Sequence, residues 1–201
     1  MKIFKNRQAA GQILAQRLRN TSADLVLGIP RGGVVVAAEI AKKLNLPLSF
    51  IVTRKIGAPM QEELALGAVD PDGNVVLEEQ PMEDLREIIQ KEWKELKRRE
   101  NQYRNGKPPV EVNNKRVILV DDGIATGATT LAAIKYLKRH GAKVILAVPV
   151  ASKDAMEKVA QEVKEVVVLH TPLDFQAVGQ FYQYFEPVID EEVVQLLKHE
   201  R

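Results

Sequence analysis

Apolar and polar positions follow two rhythms along the chain, one of about 3.6 residues and one of short unbroken apolar runs. After Asn6, a residue suited to capping a helix start, Ala10, Ile13, Leu14 and Leu18 recur at the spacing of one helical face. "DLVLGIP" then reads as a short buried strand, and "RGG" as a tight turn into a helix over 34–45. "LPLSFIVTRKI" reads as a second, β-branched strand ending in Arg54 and Lys55. "LALGAVDPDGNVVLEE" predicts two short strands around a Pro-Asp-Gly turn, a hairpin. From Pro81 to about Gly106 the rhythm is helical: Leu85, Ile88, Ile89, Trp93 and Leu96 share a face, and Glu, Lys and Arg crowd the other. The strand "KRVILV", a loop, a helix over about 130–140 stopped by Gly141, and the strand "KVILAVPV" follow. Ser152 is placed to cap a further helix, and "VVVLH" is a last buried strand.

Strands that are apolar throughout and alternate with amphipathic helices indicate an α/β fold with a mostly parallel central sheet covered by helices on both faces. Ligands of such sheets sit beyond the carboxyl ends of the strands. Three loops fall there: 30–33, 54–61 and 121–130. At 201 residues the chain is read as one domain, 1–201, with the hairpin and charged helix of 57–110 inserted as a lid.

Composition narrows the chemistry. There is no cysteine, which excludes disulfides, thiolate catalysis and cysteine-based metal sites. A net charge of +2 argues against nucleic acid as a partner, and the basic run "KELKRRENQYR", interleaved with Glu, reads as a solvated helix face. The N-terminus is too polar for a signal peptide and no apolar run nears membrane-spanning length, so the expectation is a cytoplasmic protein with no membrane partner.

The informative stretch is "VILVDDGIATGATT". Asp121 and Asp122 follow an apolar run directly, so they emerge at a strand's carboxyl end. Neighbouring carboxylates repel unless hydroxyl donors or a divalent cation offset their charge. The loop after them precedes a helix, where backbone N–H groups, the helix dipole and the hydroxyls of Thr126, Thr129 and Thr130 suit an anion; Gly127 admits close approach. A diol at one end and a phosphate at the other describe a ribose 5-phosphate. A plain strand-to-helix turn with solvated acids is the alternative. No G-K-[ST] or G-x-G-x-x-G signature is present.

"VILVDDGIATGATT" resembles the phosphoribosyl pyrophosphate (PRPP) binding motif of type I phosphoribosyltransferases, and the order of elements around it is similar to that family's. The resemblance implies that Asp121 and Asp122 hold the ribose hydroxyls around Mg²⁺, and that Ala125, Thr126, Gly127, Ala128, Thr129 and Thr130 bind the 5-phosphate. It places "GIPRGGVVVA" at the family's pyrophosphate loop, with Arg31, Gly32 and Gly33 as ligands of that group and a cis non-proline peptide as a frequent feature. "TRKIGAP" resembles the strand end of adenine-type members, which casts Arg54 and Lys55 as the catalytic cations; solvated charges are the alternative.

The implied activity moves the 5-phosphoribosyl group from PRPP to a nitrogenous acceptor with release of pyrophosphate. A non-enzymatic PRPP-sensing regulator on the same fold is the rival reading, and a metal-using nucleotide hydrolase lacks a third acid. Residues 171–201 would form the hood or C-terminal segment. Five of the ten aromatic residues lie in "FQAVGQFYQYF", which offers Phe175 or Tyr182 as a base-stacking platform, or else a hydrophobic cluster or homodimer contact. Among the histidines, His170 ends a strand near the site, His140 suits a helix C-terminus, and His199 lies in the tail.

Overall fold

The computed structural model describes residues 3–59, 61–77 and 84–198. Helix α1 (Arg7–Leu18) starts at Asn6, whose side chain accepts from the Ala9 N–H at 2.9 Å. Its buried stripe is Ala10, Gly11, Leu14, Ala15 and Leu18; Ile13, expected on that face, is 41% exposed. One residue before Leu14 is a rotation of about 100°, which carries Ile13 off the stripe.

Strand β1 (Leu25–Gly28) leads into α2 (Gly32–Leu44), two residues ahead of the expected start, and then β2 (Leu48–Phe50). The expected long second strand is two elements. β1 is only four residues and turns away after Gly28, so nothing remains for the chain to pair with beyond Phe50. Residues 51–53 cross over, and Arg54 opens a separate antiparallel sheet, β3 (Arg54–Ala58), β4 (Gln61–Val69) and β5 (Val75–Leu77). The Pro-Asp-Gly turn stands between β4 and β5, as the pattern predicts. The charged helix is α3 (Arg86–Arg104); its expected beginning at Pro81, and the strand end at Glu78 and Glu79, lie outside the described residues.

Strand β6 (Arg116–Val120), α4 (Ala128–Arg139), β7 (Lys143–Val150), α5 (Lys153–Ala160), β8 (Glu165–His170), one 3₁₀ turn (Val178–Phe181) and α6 (Asp190–Lys198) complete the chain. Ser152 caps α5 through the Ala155 N–H at 3.1 Å. The five core strands are parallel in the order β2-β1-β6-β7-β8.

Period-two geometry divides each strand between the two faces. Leu25, Leu27, Val117, Leu119, Val144 and Leu146 pack with Ile134 and Leu137 of α4 and Val159 of α5. Val26, Ile118, Val120, Ile145 and Ala147 pack with Leu14 and Leu18 of α1 and Val36 and Ile40 of α2. With both faces covered, the strand interiors are apolar and polar residues fall mainly at strand ends such as Arg116, Lys143 and Glu165, which explains the unbroken apolar runs. From β1 the chain goes outward to β2, and from β6 it goes the other way to β7, so β1 and β6 form the switch point where a crevice opens beyond the strand ends.

The small sheet docks on α4 through Ala65, Ala68, Ala128 and Ala132. Its turn is clamped by Asp70, which is fully buried, pairs with Arg139 at the end of α4, and accepts from the Asp72 and Asn74 N–H groups at 2.9 and 3.0 Å. His140, at the C-terminus of α4 as expected, meets Asp72 at 3.0 Å. Asp70→Ala removes the acceptor of the Asp72 and Asn74 N–H groups together with the partner of Arg139, and is expected to cost about 3 kcal/mol. Asp70→Asn keeps the turn's acceptor and should cost about 1 kcal/mol. Urea unfolding of the two variants checks this ordering.

Candidate active site

Two loops leave the adjacent ends of β1 and β6 and converge at the switch point. The first, 29–33, is held at its start by the Ile29 N–H donating to the Val120 carbonyl at 2.8 Å, and its Pro30–Arg31 peptide is cis. The second begins with Asp121 and Asp122, both half-buried. They touch: a Cβ at Gly32 would overlap Asp122 Oδ2, and one at Gly33 would lie 2.9 Å from Asp121 Cα. Glycine is required at 32 and 33 because the second loop fills the space of a side chain.

The acids are held unequally. Asp121 Oδ1 accepts from the Asp122 N–H at 2.8 Å, while Asp122 Oδ2 accepts from Arg7 Nε at 2.6 Å. Burial, then the neighbouring Asp122 charge, push the Asp121 carboxyl well above the usual carboxylate range. Burial also raises Asp122, and the Arg7 guanidinium opposes that rise. Asp122 is supported from its backbone as well, its carbonyl accepting from the Tyr182 hydroxyl at 2.6 Å.

Beyond the acids, the chain runs to the N-terminus of α4. Ser152 Oγ donates to the Ala125 carbonyl at 2.6 Å, and Ile124 is tied to the end of β7 by its N–H on the Val150 carbonyl at 2.9 Å. Gly127 caps the helix at φ +88°, a left-handed conformation that favours glycine. Ala125 and Thr126 are exposed and Thr129 half-buried, whereas Ala128 and Thr130 point into the fold. Thr130 Oγ1 is buried and has no hydrogen-bond partner among the described residues. Thr126 Oγ1 accepts weakly from the Ala128 N–H at 3.4 Å.

The arginines expected at the site are tied to acids of other elements. Arg31 NH1 lies 3.7 Å from Asp190 Oδ1 at the start of α6, and Arg54 grips Glu92 of α3 at 2.6 Å. Lys55 is half-buried on β3. Asp190 in turn accepts from the Tyr103 hydroxyl at 2.6 Å and Arg98 at 3.0 Å, so α3, α6 and Arg31 share one carboxylate.

Tyr182 is not available for stacking. It is 1% exposed, with its ring packed between Phe4 and Phe185 at 5.4 and 4.9 Å and its hydroxyl turned inward onto the Asp122 carbonyl, while Val178 of the 3₁₀ turn lies against Gly123. Phe175 is half-buried against Phe181 at 5.4 Å, His170 packs edge-on against Phe181 at 5.9 Å, and His199 lies outside the described residues.

Sequence reasoning missed Arg7, which sits 115 positions from Asp122. One signal was present: a cation at the first position of a helix opposes the dipole, which asks for a nearby anion. The donor set also bears on a metal. Among the described residues no three His, Cys, Asp or Glu side chains gather into a cage. Two adjacent carboxylates fit Mg²⁺, which keeps several waters and takes further oxygens from a phosphate substrate.

A doubly wound parallel sheet thus carries, at its switch point, an acid pair and a small-residue loop that runs into the N-terminus of α4. The phosphoribosyl transferase domain model matches residues 2–185, and the chain belongs to that family. It is 44% identical over 98% of its length to a Mycobacterium tuberculosis protein described only provisionally as a phosphoribosyl transferase, and it spans 47% of that relative's length. An adenine phosphoribosyltransferase of Bordetella parapertussis is 30% identical over 82% of this chain and 71% of its own. Among solved structures, TT1426 from Thermus thermophilus is 41% identical with a TM-score of 0.82, covering 98% of both chains. A purine phosphoribosyltransferase from Pyrococcus horikoshii shares the fold at 20% identity and a TM-score of 0.53, over 91% of this chain and 92% of its own. No helix among the described residues is long and apolar enough to cross a membrane.

The raised Asp121 carboxyl has a consequence for stability. Its folded value lies above its unfolded value of about 4, so its contribution is fully present below that pH and is lost as pH rises through the folded value. Asp121→Asn, which keeps the Oδ1 acceptor, is therefore expected to raise the Tm of the ligand-free protein at pH 7 and to leave it unchanged below about pH 4. Thermal unfolding scans across that range check it.

Proposed function

We propose that the protein is a Mg²⁺-dependent phosphoribosyltransferase that moves the 5-phosphoribosyl group of PRPP to a nitrogenous base or amine and releases pyrophosphate. The observation that supports this reading most is the convergence of the 29–33 and 121–130 loops at the β1/β6 switch point. In this reading one loop offers carboxylates to a diol, its continuation offers a helix N-terminus to a phosphate, and the other, whose Gly32 and Gly33 lie against the acids, offers the neighbouring Arg31 to pyrophosphate.

In this reading Asp121 and Asp122 orient the ribose and accept from its hydroxyls, and 125–130 hold the 5-phosphate through backbone N–H groups and Thr126. The acceptor nitrogen donates its lone pair to C1 as the C1–O bond breaks; the electron pair of the C1–O bond leaves with pyrophosphate, and the proton shed by the acceptor nitrogen passes to solvent. The acid pair lies where its negative field favours a ring gaining positive character. Arg31, Arg54 and Lys55 compensate the charge of the departing group. Mg²⁺, held by Asp121 and Asp122 with substrate oxygens, would supply further neutralisation. Residues 57–110 serve as the cover that excludes water from an activated sugar, and 171–201 as the hood. Phe175 and the exposed Tyr184, which lines a cleft of about 450 Å³ with Arg7 and Glu39, are the aromatic surfaces open to an acceptor.

Titration calorimetry with PRPP is expected to show Mg²⁺-dependent binding to the wild type that is lost in the Asp122→Asn, Thr126→Ala double variant; a wild type that fails to bind PRPP overturns the reading. Pyrophosphate release measured over a panel of purines, pyrimidines and small amines identifies the acceptor class, and binding without release for every member assigns the protein to PRPP sensing instead. Glu92 competes with pyrophosphate for Arg54, so Glu92→Gln is expected to tighten PRPP binding by about threefold to tenfold, the range of an interaction near 1 kcal/mol. The same titration reads it out.

A further inference from the structure

Arg7 is buried to 11% exposure against an Asp122 side chain of 16%, and its guanidinium is gripped from three directions. Nε donates to Asp122 Oδ2 at 2.6 Å, NH1 donates to the Glu186 carbonyl at 2.8 Å, and the plane lies 3.8 Å over the Phe185 ring. Asn6 fixes the helix start that carries it. On the side of the 29–33 loop, a Cβ at Gly32 would come within 2.6 Å of Arg7 Nε, so Arg7, Asp122 and that loop meet at one point.

We propose that Arg7 is the positioning residue of the acid pair, fixing one oxygen of the Asp122 carboxylate so that the group is held in a single orientation toward the ribose. The inference rests on the reading of Asp121 and Asp122 as the ribose-binding acids. A buried ion pair gains little stability over well-packed apolar side chains, since desolvation offsets the attraction; what it secures is geometry. The three contacts use the planar fork and the flat face of a guanidinium together, which an ammonium cannot reproduce.

The same contacts give the C-terminal aromatics a function. Tyr182 holds the Asp122 carbonyl and Phe185 carries the guanidinium that holds its carboxylate, while Phe4, Tyr182 and Phe185 stack in series. Both ends of one residue in the 121–130 loop are therefore set from the segment that closes the chain.

The test titrates wild type, Arg7→Lys, Asp122→Asn and the Arg7→Met, Asp122→Asn double variant with PRPP in the presence of Mg²⁺, and separately with inorganic phosphate as a probe of the 125–130 loop, which Arg7 does not touch. Arg7→Lys keeps the charge, and the double variant removes both charges, so neither leaves an unpaired buried carboxylate. PRPP affinity is expected to fall about tenfold or more in Arg7→Lys, with phosphate affinity unchanged, and Arg7→Met is expected to add no further loss to Asp122→Asn. Unchanged PRPP affinity in Arg7→Lys, a parallel fall in phosphate affinity, or additive losses in the double variant would each overturn the role of Arg7. Wild-type protein that binds phosphate but not PRPP removes the ribose-site reading itself.

Discussion

Two carboxylates side by side at the end of a buried strand are the constraint around which this fold is arranged. Neither is fully solvated: burial raises the cost of ionising both, and the Asp122 charge raises it further for Asp121. The chain meets that cost with a buried guanidinium from the first helix, a backbone N–H from within the pair, and a tyrosine hydroxyl on the carbonyl behind them. Glycines at 32 and 33 follow from the same arrangement, because the neighbouring loop must pass where side chains would otherwise lie. A protein under selection for stability alone would not place acids there, so their position is evidence of use.

The β3–β5 sheet and α3 are anchored at several separate points. Alanines of β4 pack on alanines of α4, Asp70 locks the turn onto Arg139, and Leu96 and Tyr103 of α3 are buried with Phe50 and Val193. Small residues set the first contact, which lets the hairpin approach α4, the helix that follows the acid pair. The basic face of α3 is spent internally: Arg98 and Arg99 pair with Glu95, and Arg104 and Lys97 with Glu100. That ladder accounts for a dense run of Lys and Arg in a chain near neutrality.

Much of this was legible in the sequence, for reasons that differ by element. The parallel sheet announced itself because covering both faces favours apolar residues at successive interior positions of a strand, as in Val117 to Val120. The acid pair and the small-residue loop were legible because their chemistry is local, within one strand-to-helix junction. The split of the second strand was not, since Ile51, Val52 and Arg54 carry strand propensity whether or not a partner exists, and the partner's length is a property of β1. Tyr182 was misjudged because an aromatic run gives no sign of which ring faces inward. Arg7 and Glu92 lay beyond reach, being joined to Asp122 and Arg54 only by tertiary packing.

Those long-range pairs offset much of the charge in the ligand-free site. Arg7 faces Asp122, Arg54 faces Glu92, and Arg31 stands near Asp190, so each of these three guanidinium groups already has an acid. In the proposed function an incoming pyrophosphate displaces carboxylates of α3 and α6, whereas the guanidinium of Arg7 is held by a ring and a carbonyl as well and stays in place. The exchangeable acids sit on the helices packed around the site, and the fixed one sits at the end of a core strand. Thermodynamic linkage then requires that whatever loosens α3 from Arg54 favours anion binding, and that anion binding loosens α3 in return. Charge at this site is thus tied to the packing of α3 and α6, through Glu92 and Asp190.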